Sequence, residues 1–152
     1  VRERSKIRSI ARKVLKDLSL NAFSGRTSGI HIHDLPAALI TSERDEVTLD
    51  SGNHLERELE LKIELIILPK ADAETEIEQL SEDVARALWR SDELRAAISD
   101  LKFIGEEFVI ESHGEYVIAA SEITFMIHYW SLDQETDGQT PEKIYANRTR
   151  ID

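Results

Sequence analysis

Along residues 3–20 the apolar side chains Ile7, Ile10, Ala11, Val14, Leu15 and Leu18 recur at i, i+3, i+4 and i+7. That spacing places them on one face of an amphipathic helix, with basic residues filling the other positions. Residues 21–34, NAFSGRTSGIHIHD, are rich in turn formers, with Gly25 and Gly29 as breakers. They read as a loop long enough to be functional. Residues 35–41, LPAALIT, predict a short strand with Pro36 at its start or on an edge, because proline cannot donate to a ladder. Residues 42–54, SERDEVTLDSGNH, are polar and acidic and predict an extended hairpin connection, in which Val47 and Leu49 let the two arms pair for some distance.

The clearest pattern follows. Leu59, Leu61, Ile63, Leu65 and Ile67 alternate with Glu58, Glu60, Lys62, Glu64 and Ile66. Period two over this length means a strand with one wet and one buried face, ended by Pro69. Such a strand suits an antiparallel sheet covered on one side. Asp72 is placed to cap a second helix, and Glu74 and Glu76 favour its positive N-terminal end. Ile77, Leu80, Val84, Ala87 and Leu88 form its stripe, and Ser91-Asp92 predicts a cap for a short turn through Leu94 and Ile98. Two strands, over 101–111 and 116–130, are joined by the tight connection SHGE at 112–115. In the last strand Val117, Ala119, Ile123, Phe125, Ile127 and Tyr129 share a face, and Ser121 interrupts it as a candidate bulge.

After residue 130 periodicity is lost, with breakers at Asp137-Gly138 and Pro141. The expected organisation is therefore one α+β domain over residues 1–130, in the order α-β-β-α-β-β: an antiparallel β-sheet with helices packed on one face. Residues 131–152 form a C-terminal extension, expected to be extended or mobile.

Composition agrees with a folded domain. The chain has 152 residues, 41% of them hydrophobic and 32% charged, enough for one core. It has no cysteine, which excludes disulfides, thiolate metal sites and cysteine nucleophiles. No apolar run approaches the roughly 18 residues of a membrane span. The basic first residues are not followed by a signal-like apolar stretch, so folding in a cytoplasm and no membrane partner are expected.

Charge changes the picture more. Net charge is -11, yet residues 1–18 carry seven basic side chains against two acidic ones, a net of +5. A basic helix on an acidic body suits a solvated face, or an acidic neighbour such as a second copy of the chain. The acidic body argues against nucleic acid as the main partner, and no sequence-specific binding is expected.

Candidate chemistry is sparse. His31, His33 and Asp34 form the most ligand-like cluster: in an extended segment residues 31 and 33 point the same way and could grip zinc, with His113 or His128 completing a site. No second spaced pattern such as HExxH supports it, and exposed loop histidines are the plainer reading. Carboxylates such as Glu106-Glu107 are too plentiful to single out an acid–base pair. The sequence has no GxSxG, GxGxxG or GxxxxGK[ST]. No catalytic residue, cofactor or metal is therefore assigned, and the chain reads as a non-enzyme. Trp89, Trp130 and Tyr129 lie near element ends; core packing accounts for them, and Trp130 is also placed to tether the extension or a neighbour.

The order of these segments resembles the phage tail terminator proteins, the minor tail proteins of the lambda U type. The resemblance covers roughly residues 4–130. It rests on the basic helix ending near Leu18-Ser19-Leu20, the loop into LPAALI at 35–40, the acidic hairpin into LERELELKI at 55–63, the helix over 77–89, KFIGEEF at 102–108 and the strand over 120–129. The extension departs from the usual chain of that family. The resemblance implies a structural virion protein, a hexameric ring that caps the completed tail tube of a phage or prophage. Such a ring stops polymerisation and meets the head connector. Its implied partners are copies of itself, the major tail tube protein and a neck protein; its location is the head-proximal end of the tail, after assembly in the host cytoplasm. Arg26, Arg44, Asp45 and Glu46 are the expected loop contacts, and Arg8 and Arg12 the expected inter-subunit contacts. Another neck or head-completion protein of similar fold is the nearest alternative; a metal-dependent enzyme using His31, His33 and Asp34, or a small DNA-binding module using the basic helix, is more distant.

Overall fold

The computed structural model describes residues 2–24 and 29–132. Helix α1 (Arg2–Asp17) opens the fold and buries Ile7, Ile10, Ala11 and Leu15 on its expected face. It ends in a left-handed turn. Ser19 has φ 66°, its N–H bonds the Lys16 carbonyl, and the Leu20 N–H reaches back to the Leu15 carbonyl. This paired closure satisfies the last carbonyls of the helix and drops Leu20 into the core beside Leu15.

The chain then forms strand β1 (Asn21–Ser24), where a loop is predicted from the sequence. A one-turn 3-10 segment (Ile32–Asp34) leads to β2 (Ala37–Asp50), which lies parallel to β1 with Asn21 opposite Ala37. The four-residue strand is too short to show a period of its own, so only its neighbour reveals it. β3 (His54–Ile67) pairs antiparallel with β2 along nearly its whole length. The acidic stretch after Thr41 is thus strand rather than connection, with bulges between Ser42 and Arg44 and between Val47 and Leu49.

Helix α2 (Ala73–Arg90) begins at Asp72, whose carboxylate accepts from the Thr75 N–H at 3.3 Å. Ser91 ends α2 and caps the short helix α3 (Asp92–Ala97) through the Leu94 N–H. Strands β4 (Asp100–His113) and β5 (Tyr116–Leu132) close the fold as a hairpin. The sheet order is β1-β2-β3-β5-β4. The architecture is α+β, as expected, but the sheet is mixed rather than purely antiparallel, because of β1. α1 and α2 lie on the sheet, whereas α3 leans mainly on α1.

The core follows the period-two pattern. Leu59, Leu61, Ile63 and Leu65 of β3 and Ala119, Ile123, Phe125, Ile127 and Tyr129 of β5 are buried under the helices. Ser121 does not mark a bulge: β5 runs in unbroken register with β3, and Ser121 is buried on the helix face, where it receives the Ser81 hydroxyl of α2 at 2.9 Å. The bulge of this hairpin lies on β4, between Phe103 and Gly105. A small hydroxyl at position 121 lets α2 approach, and a partner hydroxyl removes the penalty of burying it.

Candidate assembly interface

The basic flank of α1 is anchored to its own sheet edge. Arg12 Nε donates to the Ala22 carbonyl of β1 at 3.0 Å, and Arg8 donates to Ser42 Oγ of β2 at 3.3 Å. Arg4 pairs with Asp45 at 2.9 Å. Arg8 and Arg12, expected between subunits, thus hold α1 to β1 and β2 within one chain. The exposed cations of α1 are Arg2, Lys6, Arg12, Lys13 and Lys16, of which Lys13 meets Glu93 of α3 at 3.2 Å.

Asp45 was expected to reach outward from a loop. The structure turns it inward. Just past the first β2 bulge, Asp45 stands opposite Leu59 on the helix face, and its side chain is 6% exposed. Its Oδ2 accepts from Arg4 and from the Tyr129 hydroxyl, with Arg57 at 3.7 Å; Arg57 Nε also donates to Ser131 Oγ at 2.8 Å. Burial, then the hydrogen bond and negative charge of Asp45, push the Tyr129 hydroxyl well above the usual phenol range, so it is a fixed donor at neutral pH. This knot ties the N-terminus of α1 to β2, β3 and β5. Sequence reasoning missed it because the bulge that turns position 45 inward leaves no period in the polar run.

The opposite face of the sheet carries alternating charges that remain partly exposed. Arg44 lies 3.7 Å from Glu46 and 3.6 Å from Glu60; Lys62 lies 3.8 Å from Glu122; His128 bonds Glu58 at 2.8 Å. Arg44 and Glu46, expected as loop contacts, lie in strand rather than loop, exposed on the distal arm of β2. Trp130 is 42% exposed on the same face, edge-on to His54 with ring centroids 6.5 Å apart. Arg26 and residues 133–152 lie outside the described residues.

The histidine cluster does not gather ligands. His31, Ile32, His33 and Asp34 wind into the 3-10 turn, the two rings stack with centroids 6.0 Å apart, and Asp34 Oδ2 accepts from the His31 backbone N–H. Among the described residues no three histidine or carboxylate side chains are grouped to hold a metal ion. No helix among them is long and apolar enough to cross a membrane.

Among the described residues two sheet margins stand open. β1 pairs only with Ala37–Ile40, so β2 is an edge from Thr41 onward and carries Val47 and Leu49 exposed. At the other margin β4 is the edge strand along its length, with Phe103, Ile104, Phe108, Val109 and Ile110 exposed. Open, partly apolar edges are where strands meet other chains.

No protein-family profile and no curated protein matches this sequence. Among solved structures, a chain from the virion of a native gene transfer agent particle is similar: it is 12% identical, the match covers 78% of this chain and 84% of that one, and the TM-score is 0.35.

Proposed function

We propose that this chain is a structural, non-catalytic tail protein of a phage-like particle, of the terminator type, that closes into a ring on the end of a finished tail tube. The observation that carries the ring is the pair of unlike open margins, the distal half of β2 on one side of the sheet and β4 on the other. Unlike patches on opposite sides make a head-to-tail contact, which closes when the rotation per subunit divides a full turn. The segment order over residues 4–130, with its basic first helix and acidic hairpin, supports the terminator role and a hexamer. The partners are then the tube protein on one rim and a head connector or neck protein on the other, at the head-proximal end of the tail. The charged outer sheet face, rich in Glu58, Glu60, Glu64 and Glu122, suits a passage for DNA that repels rather than holds it.

The test is tube length. Purified tube protein polymerised with increasing amounts of this chain, measured by electron microscopy, should give shorter tubes with a ring at one end. Tubes of unchanged length and bare ends at saturating protein would contradict the terminator role.

A further inference from the structure

The edge strand β4 borders a groove of about 360 Å³ that the described residues leave open. α2 lies over β5, and the helix-side face of β4 runs on beyond it. The groove is lined by Ala85 and Trp89 of α2 and by Leu101, Phe103 and Phe125 of the hairpin. Trp89 is 53% and Phe103 50% exposed, although Phe103 stands edge-on to the buried Phe125 at 5.8 Å. Two large aromatic rings held on rigid elements and half bare are the side chains that most often anchor protein interfaces. Two arginines stand at the rim: Arg86 lines the groove and is paired with Asp83 at 3.1 Å, and Arg95 lies over the Trp89 ring at 5.3 Å.

The opposite margin of the sheet carries complementary chemistry. On the distal arm of β2, Val47 is 49% and Leu49 51% exposed, and they flank the second bulge. By register Val47 faces the helix side, opposite Arg57, while Leu49 stands opposite Glu56 on the other side. The two therefore straddle the edge of β2, as Phe103 and Ile104 straddle the bulge of β4. Glu43, Glu46 and Asp50 are exposed on the same arm, Glu46 lying 3.7 Å from Arg44.

We propose that the distal β2 arm of one copy seats Val47 and Leu49 on the Trp89–Phe103 groove of the next copy, with its carboxylates meeting the arginines of the rim. The apolar pair supplies the anchor, and the opposite charges set orientation and register. This inference rests on the ring reading and names the surfaces that would make it. Because the donor and acceptor surfaces lie on opposite margins, each copy can give one contact and accept one. The deeper pairs on α1 are not needed for it.

The chain has no cysteine, so engineered thiols report contacts without background. Separately purified Leu49→Cys and Phe103→Cys proteins, mixed and treated with a short bismaleimide, should give a 49–103 cross-linked dimer by mass spectrometry, with neither protein cross-linking alone. The Val47→Asp/Leu49→Asp variant should assemble at least tenfold more weakly by light scattering while keeping the parent's circular dichroism. Each of the following would overturn the proposal: a 49–49 product, which means a two-fold contact; parental assembly by the Val47→Asp/Leu49→Asp variant; or loss of assembly only when residues 133–152 are deleted, which makes the extension the occupant. With either of the last two outcomes the parent still forms oligomers and the ring reading stands; a 49–49 product would count against the head-to-tail ring as well. A parent that neither self-associates nor shortens tubes would remove both.

Discussion

Ser19 and Asp45 decide how the first helix is fastened to the sheet. Ser19 adopts a left-handed conformation with φ 66°, which a side chain makes costly and glycine does not. Ser19→Gly is expected to raise stability by about 0.5–1 kcal/mol, read from urea midpoints at unchanged slope. Asp45 is the shared acceptor of Arg4 and the Tyr129 hydroxyl and sits beside Arg57, whose side chain is mostly buried. Asp45→Ala strands those donors and should cost about 3 kcal/mol, the range for breaking a buried pair from one side. Arg4→Ala should cost clearly less, because Arg4 is about a third exposed and its loss leaves Asp45 with Tyr129 and Arg57. At this scale the sequence spoke unevenly. The Asp72 cap stands in plain view before an apolar stripe. Asp45 stands in a run of charges with no period, and only the bulge beside it reveals that it points inward.

At the scale of elements, α2 has a more elaborate start than its capping residue suggests. The Glu76 carboxylate folds back over the approach to the helix and accepts from the backbone N–H groups of Lys70, Ala71 and Asp72 at 2.7–3.1 Å. These bonds hold Glu76 below the usual carboxylate range; the hydrogen bonds from Thr75 do the same for Asp72. A carboxylate whose folded pKa is depressed stabilises the fold above its unfolded value and loses that contribution as pH falls through the folded one. Glu76→Gln should therefore lower Tm at neutral pH. The gap to the parent should close as pH drops below the ordinary carboxylate range; a gap independent of pH would assign the loss to shape rather than charge. The long strand β3 and the helix stripes were legible because periods of 2 and 3.6 persisted over many residues. β1 was not, since four residues joined to a neighbour by backbone bonds leave no pattern of their own. The reach of β2 was underestimated for a related reason: two bulges break its alternation, so a continuous strand reads as a polar connection. Ser121 was misread in the opposite sense, because a serine on an apolar face signals a buried hydroxyl partner as readily as a bulge.

The whole molecule is polarised. The basic α1 lies over the β1–β2 margin, with a net of +5 in residues 1–18 against -16 in the rest of the chain. Three of its arginines already bond within the chain: Arg4 to Asp45, Arg8 to Ser42 Oγ and Arg12 to the Ala22 carbonyl. Those bonds fasten α1 to its own sheet, and the two margins left unpaired among the described residues are the further surfaces free for contact. The expectation that a basic helix meets an acidic neighbour was reasonable from composition. What composition cannot convey is that the neighbour of Arg4, Arg8 and Arg12 is their own sheet edge: β1 brings Ala22 to Arg12 from 10 residues further along, and β2 brings Ser42 to Arg8 and Asp45 to Arg4 from 34 and 41 residues further along. Self-association through two unlike margins remains the central claim. The most direct test is solution mass by light scattering across protein concentration and salt. A species of six times 17.3 kDa that builds up with concentration is the predicted result. A single-chain mass at every concentration and salt would contradict it.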